Sequence, residues 1–241
     1  MIITQNIQHT SRYQKVIGYL HTMWSMRSLK VRDFTIEPVP RSAIQAFVHK
    51  WHYSHDTNGV QQTQCFALFD DMKMIGAMIY AIPSMPATAA RYNRDNPDRC
   101  WELRRLCCVD DTPTNTESYF IGQTLWWLRQ NTDIEVIVSY ADLEQGHEGV
   151  IYKASNFHLL GQSGGGRNLI VDGKKFHARS LNQKEKPYGR ELKRRWENKE
   201  GHSFWDSEET DMYYQDVKAK NIYVYYLNKK IKKKLLKDYD L

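Results

Sequence analysis

Asp142 closes an apolar, β-branched run that begins at Ile134, and a polar turn punctuated by Gly146 and Gly149 follows it. A strand ending this way sets a carboxylate at the carboxyl end of a sheet, where α/β proteins hold ligands. Such a group can accept a proton from an amine nucleophile or bind a cation. Glu144, His147 and Glu148 extend the same polar cluster. The competing role for Asp142 is that of a turn or helix cap, the commonest use of aspartate in such places. A second constellation, Glu102, Arg104 and Arg105, lies within the run from Cys100 to Asp111. Strict alternation puts Glu102 and Arg104 on one face of a strand, and Leu103 with Arg105 on the other. Charges inside a strand are costly to bury unless paired. Arg104 therefore either holds a phosphate or carboxylate or forms a structural pair with Glu102. A third group, from Lys50 to His55, gathers His52, Tyr53 and His55 beside Trp51.

The elements that must position these groups follow from periodicity and turn chemistry. Residues 34–40 read as a first strand, and 42–53 as a helix with Ile44, Phe47, Val48 and Trp51 on one face. Residues 64–70 and 74–84 pair as a hairpin about Asp70-Asp71, and 86–99 reads as a long loop. A strand over 100–111 leads through Thr112-Pro113 to a helix over 117–131, opened by a capping box between Thr114 and Glu117. Val150, Ile151, Ala154 and Phe157 recur at helical spacing, and His158-Leu159-Leu160 resumes a strand. Residues 167–179 form a hairpin turning at Asp172-Gly173, and 221–228 form a strand before a lysine run. Gly164-Gly165-Gly166 follows a strand and opens no helix, so its context is not that of a phosphate loop. This order predicts an α/β fold, a mixed central sheet with helices on both faces. The expected organisation is an amino-terminal extension (1–33), a core (34–181), and a basic carboxyl-terminal segment (182–241) that completes the fold.

Composition narrows the partners. The chain has 241 residues, 41% hydrophobic and 26% charged, which is globular and ample for one core. No apolar run is long enough for a membrane span, and the first residues lack the apolar core of a secretory signal, so the expected location is the cytoplasm. Cys65, Cys100, Cys107 and Cys108 show no paired or zinc-ribbon spacing and read as small core residues. A net charge of +6 with 15 Tyr and 7 Trp suits a polyanion. The basic residues cluster with aromatic and apolar anchors in 186–196 and 228–237. Arg190, Lys193, Arg194, Arg195, Lys230 and Lys233 are the expected contacts to a nucleic-acid backbone. A homodimer is compatible with the sequence but not required by it.

The piece from Gly149 to Gly161 resembles the helix-to-strand signature of GNAT-type N-acyltransferases, over roughly residues 34–180. The pieces Lys50–His55, Trp101–Phe120, Val138–Phe157 and Tyr223–Lys237 resemble the Mom family of bacteriophage DNA-modification proteins more closely, over most of the chain. That resemblance implies a GNAT-like fold and an enzyme acting in the host cytoplasm. It would convert adenine in phage DNA to its carbamoylmethyl (acetamido) derivative at the exocyclic amine. Restriction enzymes read that amine in the major groove, so a substituent there blocks recognition.

The GNAT resemblance implies that Tyr152 protonates a departing thiolate. It also implies that Leu106, Cys107, Cys108 and Val109 line a pantetheine chain, with Thr116 at the phosphates. The loop 110–118 departs from the usual pattern, having no glycine and carrying Asp110 and Asp111. His52 and Tyr53 would meet an extruded base, and Arg104 would shape the acceptor or donor site. The donor is expected to be acetyl-CoA or another acyl or aminoacyl donor. Acyl transfer joins an amine through a carbonyl, whereas a carbamoylmethyl group is joined through its methylene. A different donor or redox chemistry is therefore needed, with iron or another divalent metal on His52, Asp142 and His147 as a candidate set. Two alternatives stay open: an N-acyltransferase for a non-DNA amine, and a non-catalytic DNA-binding protein on the same scaffold.

Overall fold

Burial alternates along one strand and fixes which elements lie on which side of the sheet. The computed structural model describes residues 30–57, 63–177, 180–181, 187–197 and 212–238. In chain order the elements are β1 (Thr35–Val39), α1 (Arg41–Trp51), β2 (Thr63–Asp70), β3 (Lys73–Ala81), α2 (Pro86–Tyr92), β4 (Cys100–Cys108), α3 (Thr116–Asn131) and β5 (Val136–Asp142). They continue with α4 (Val150–Ala154), β6 (His158–Gln162), β7 (Gly166–Val171), β8 (Lys174–His177), α5 (Pro187–Glu197), β9 (Met212–Val217), β10 (Lys220–Tyr226) and α6 (Lys229–Asp238). The contacts divide the chain into two units, one of residues 1–141, 145–161 and 221–241, the other of 142–144 and 162–220. Most of the expected amino-terminal extension, residues 1–29, lies outside the described residues.

The first unit is built on a seven-stranded mixed sheet in the order β1-β2-β3-β4-β5-β10-β6. Strands β1 to β4 pair antiparallel, and β5 joins β4 in parallel. On β5, Ile137 enters a cluster with Leu103 and with Phe120, Leu125 and Leu128 of α3. Val136 and Val138 point the other way, to Ala89 and Tyr92 of α2 and to Ile222 and Val224 of β10. This two-residue period is what a strand buried on both faces requires. Helix α1 covers the second face over β2 and β3, where Ile44 and Val48 meet Cys65, Ala67 and Ile79. Helices thus lie on both faces, as the alternation of elements predicted. All four cysteines are buried, free thiols.

Glu135, just before β5, ties three segments to the sheet. Its carboxylate accepts hydrogen bonds from Asn93 Nδ2 (2.9 Å), Asn96 Nδ2 (3.3 Å), Arg99 Nη1 (3.3 Å) and Asn228 Nδ2 (3.4 Å). Burial alone would raise its pKa, but the donors Asn93, Arg99 and Asn96 outweigh it and hold the carboxyl below the ordinary range.

Three local expectations are corrected. Residues 86–92 are a helix, not loop: Pro86 supplies a pre-set φ at the first helical position, and Ala89 and Tyr92 bury one face. The capping box at Thr114 is absent. Asn115, at φ 70°, precedes α3 without a side-chain cap, and Thr116 turns its hydroxyl back onto the Pro113 carbonyl at 2.7 Å. Strand β4 stops at Cys108, because the chain then folds back, Thr112 N–H bonding the Val109 carbonyl.

The second unit holds a three-stranded antiparallel sheet in the order β8-β7-β9. Asp172 and Gly173 both take positive φ (48° and 71°), as a two-residue hairpin turn demands. Helix α5 covers this sheet with Leu192 and Trp196, one turn apart, against Leu169, Val171, Met212 and Tyr214. Among the described residues no helix is long and apolar enough to cross a membrane.

Candidate active site

Strands β4 and β5 run together for only three pairs, from Cys100↔Val136 to Glu102↔Val138, and then part. A parted strand leaves backbone carbonyls to be satisfied. Ser139 Oγ supplies one donor, to the Leu103 carbonyl at 3.0 Å. The Tyr152 hydroxyl also bonds Ser139, a contact that lowers the phenol's pKa against the larger effect of burial. Tyr152 belongs to α4, and its ring packs on Tyr223 (5.2 Å) and Phe157 (5.5 Å). Burial pushes the phenol up to about 12, with Tyr53, Glu102 and Tyr223 adding to the rise. A phenol so placed stays protonated at neutral pH and can give a proton to a leaving group.

The opposite edge of β4 carries a β-bulge. Tyr80 lies opposite Leu103 and Ile79 opposite Arg105, so Arg104 is the extra residue. This corrects the expected faces. Leu103 enters the apolar cluster under α3, whereas Arg105 lies opposite a residue packed under α1, because the inserted residue resets the alternation. Arg105 Nε donates to the Asp56 carbonyl (3.0 Å) and Nη1 to the Arg104 carbonyl (2.9 Å). Arg104 sits 3.7 Å from the Glu102 carboxylate, and its Nη1 donates to Ser84 Oγ. Its Nε is buried without a hydrogen-bond partner. The Glu102–Arg104 pair, one of the two roles weighed for Arg104, is present.

His52 and Tyr53 follow α1 directly. Their rings stand 4.4 Å apart, and His147 meets Tyr53 edge-on at 5.3 Å. The Ser54 N–H donates to His52 Nδ1 (3.1 Å), which places the imidazole proton on Nε2. Burial, then the charges of Arg105, His147 and His55, lower the His52 pKa to about 3, so the ring is neutral at physiological pH. His147 and Tyr152 border a small cleft of about 140 Å³ with Ala141, Gly146, Gly149 and Ile151. Gly149 is obligatory there: it takes φ +87°, and a Cβ would lie 2.2 Å from the Tyr223 ring. The Tyr223 hydroxyl donates to the Glu148 carbonyl at 2.7 Å, which holds the turn that launches α4.

The structure brings His52, Tyr53, Tyr152 and Arg104 into the first unit but assigns Asp142 to the second. There the Asp142 carboxylate meets Lys220 Nζ at 2.7 Å and accepts the Glu144 N–H at 3.1 Å. Among the described residues no group of three or more His, Cys, Asp or Glu side chains is placed to hold a metal ion. The expected set His52, Asp142 and His147 is not among such groups. The Cys107 and Cys108 side chains are buried on opposite faces, and burial pushes the Cys107 thiol up to about 12. Leu106 and Val109 pack beside the α3 cluster, and Thr116 is spent on its own helix turn. On α5, Arg194 pairs with Glu191, and Arg195 holds Asp172 with two hydrogen bonds (2.9 and 3.1 Å). Arg190 and Lys193 lie on the same helix. Lys230 and Lys233 are exposed on α6, which Ile231 anchors to the sheet.

Sequence reasoning missed Ser139 and Tyr223; it singled out Arg105 and Gly149 but gave neither its part in the site.

The profile of the Mom protein family matches residues 33–239. Methylcarbamoylase mom of Escherichia phage Mu is 30% identical over 117 residues, covering 48% of this chain and 48% of that protein. The alignment thus spans about half the length of that relative. Among solved structures, the spermidine/spermine N-acetyltransferase of Vibrio cholerae superimposes with a TM-score of 0.44 at 9% identity, covering 84% of this chain and 98% of that one. The ribosomal-protein-S18-alanine N-acetyltransferase of Escherichia coli gives 0.43 at 10% identity, covering 81% and 94%. With the family profile matched from β1 into α6, the chain belongs to the Mom protein family.

Proposed function

We propose that this protein is a transferase that modifies phage DNA in the host cytoplasm, placing a carbamoylmethyl group on the exocyclic amine of adenine. The observation that carries this reading is the Tyr152 hydroxyl, held protonated by burial where β4 and β5 part. It supports a proton donor for a leaving group at the mouth of a slot between strands. The membership of the Mom family and the relative named methylcarbamoylase support the choice of reaction.

In this reading the rings of His52, Tyr53 and His147 offer an extruded adenine a stacking wall, and the neutral His52 adds no charge to repel its amine. The β4 edge from Leu106 to Val109, beyond the last β5 pair, is where an extended donor such as an acyl-CoA would lie along the backbone. Thr116 at the start of α3 would stand near its phosphates. Transfer from an acyl-CoA alone would join the amine through a carbonyl and give an amide, so the carbamoylmethyl product calls for a donor whose methylene carbon carries the leaving group: the new C–N bond forms as that bond breaks, and the leaving group takes the proton from Tyr152. Arg104, paired with Glu102, would shape the wall of the donor or acceptor site. As the amine nitrogen takes the new carbon it must lose a proton. Asp142 is the proposed acceptor, and it would first exchange its contact with Lys220. Arg190, Lys193, Arg194, Arg195, Lys230 and Lys233 would neutralise backbone phosphates, with Arg194 and Arg195 released from their carboxylate partners.

Mass spectrometry of nucleosides from plasmid DNA, in cells expressing the wild type, Tyr152→Phe or Asp142→Ala, tests this. A new adenosine species of carbamoylmethyl mass is expected with the wild type and is lost in both variants. Full modification by Tyr152→Phe would remove the tyrosine from the mechanism. Unmodified DNA despite soluble wild-type protein would overturn the reaction and favour transfer to a non-DNA amine, or DNA binding alone.

A further inference from the structure

We propose that Arg105 is a positioning residue, a clamp that holds the loop carrying His52 and Tyr53 in the geometry where their rings meet. Its role in DNA modification rests on the function proposed above; the clamp itself rests on geometry. The loop from His52 to Thr57 leaves α1 with little secondary structure of its own, yet His52 and Thr57 are almost wholly buried. Two guanidinium groups hold its far end. Arg41 Nη2 donates to the Thr57 carbonyl at 2.6 Å, and Arg105 Nε to the Asp56 carbonyl at 3.0 Å. Arg105 reaches that carbonyl only because the bulge at Arg104 turns it to the α1 side of the sheet.

Asp56 is in turn coupled to the histidine. Ser54 Oγ stands 2.8 Å from His52 Nδ1 and 3.3 Å from the Asp56 carbonyl, its one proton shared between these two acceptors, and the Ser54 N–H donates to the same nitrogen. Arg105 therefore acts on His52 through one carbonyl and one serine. Three charged or titratable groups face the imidazole: Arg105 from β4, His147 from the turn after β5, and His55 from the loop itself. Tyr53 stacks beside it. A guanidinium suits this place because it is planar and permanently charged, and its Nε and Nη1 reach the Asp56 and Arg104 carbonyls from one rigid fork, whereas a lysine ammonium is a single point at the end of a flexible stem.

The test uses the full chain without DNA or donor, so its outcome is separate from whether DNA is modified. NMR would follow the ring-to-ring NOEs between His52 and Tyr53 and the hydrogen exchange of the Ser54 amide in the wild type, Arg105→Gln and Arg105→Lys, each checked for a native amide spectrum. In Arg105→Gln the His52–Tyr53 NOEs should weaken at least twofold and Ser54 protection should fall at least tenfold. Arg105→Lys keeps the charge but should restore less than half of the lost protection. Unchanged NOEs and protection in a folded Arg105→Gln protein would overturn the clamp, and so would full restoration by lysine.

Discussion

Replacing Gly149 by alanine tests the packing that aims Tyr152. Two costs add. At φ +87° an L-residue bears roughly 1–2 kcal/mol of backbone strain. The new methyl carbon would also stand 2.2, 2.5 and 2.7 Å from Cε2, Cζ and the hydroxyl oxygen of Tyr223. Carbon atoms settle near 3.5–4.0 Å, so the ring must move by more than about 1 Å. That motion breaks the 2.7 Å bond to the Glu148 carbonyl, worth roughly 0.5–1.5 kcal/mol net, and carries away the ring on which Tyr152 packs. The expected total is about 2–4 kcal/mol, a fall in Tm of roughly 4–16 °C for a chain of this size. DNA modification should fall much further than the folded fraction, because Tyr152 loses its support. A thermal melt and a modification assay on Gly149→Ala read both effects. Tyr223→Leu is the control, since it removes the overlap but not the strain. In that background the alanine should cost only about 1–2 kcal/mol. A single variant with unchanged Tm and activity, or equal costs in both backgrounds, would refute the steric account.

Glu135→Gln should destabilise the protein by roughly 1–3 kcal/mol near pH 7 in a denaturant titration, since charge-assisted bonds to a buried carboxylate are lost. Its folded pKa lies below the unfolded value, so this stability is present above the unfolded pKa and disappears as pH falls through the folded one. The gap between wild type and variant should therefore close in acid; a gap that widens below pH 4 would contradict the assigned network. Neutralising Lys230 and Lys233 together, as Lys→Gln, should weaken DNA binding in a filter or fluorescence titration. The slope of log affinity against log salt should fall by up to about 2; an unchanged slope would take α6 off the DNA.

The sheet and its helices were legible because they rest on local periods. Val136 to Val138 and the α3 residues Phe120, Ile121, Leu125 and Leu128 show their faces in sequence order. Helix α2 was hidden because proline and asparagine at its ends read as loop punctuation, although Pro86 marks a helix start. Of the candidate site, residue type alone marked Tyr152, His52 and Tyr53 as candidates. Its geometry was not legible, because a bulge and a strand parting are properties of register between distant segments. One inserted residue, Arg104, moves Arg105 to the opposite face, and nothing around it in the sequence announces the insertion. The pairing of Asp142 with Lys220 likewise joins positions far apart in the chain.

Strand β10 lies between β5 and β6, although it is made after both. The ribosome therefore delivers β5 and β6 well before the strand that must separate them, with residues 163–219 emerging in between. During that interval β5 and β6 can find each other or remain apart, but neither state is the native sheet. The support of Tyr152 by Tyr223 waits on the same late strand. Activity should thus appear as a late event of synthesis rather than growing with chain length. A stop codon placed just before β10 should yield a chain that keeps the hairpin β2–β3 yet aggregates through the exposed edge of β5.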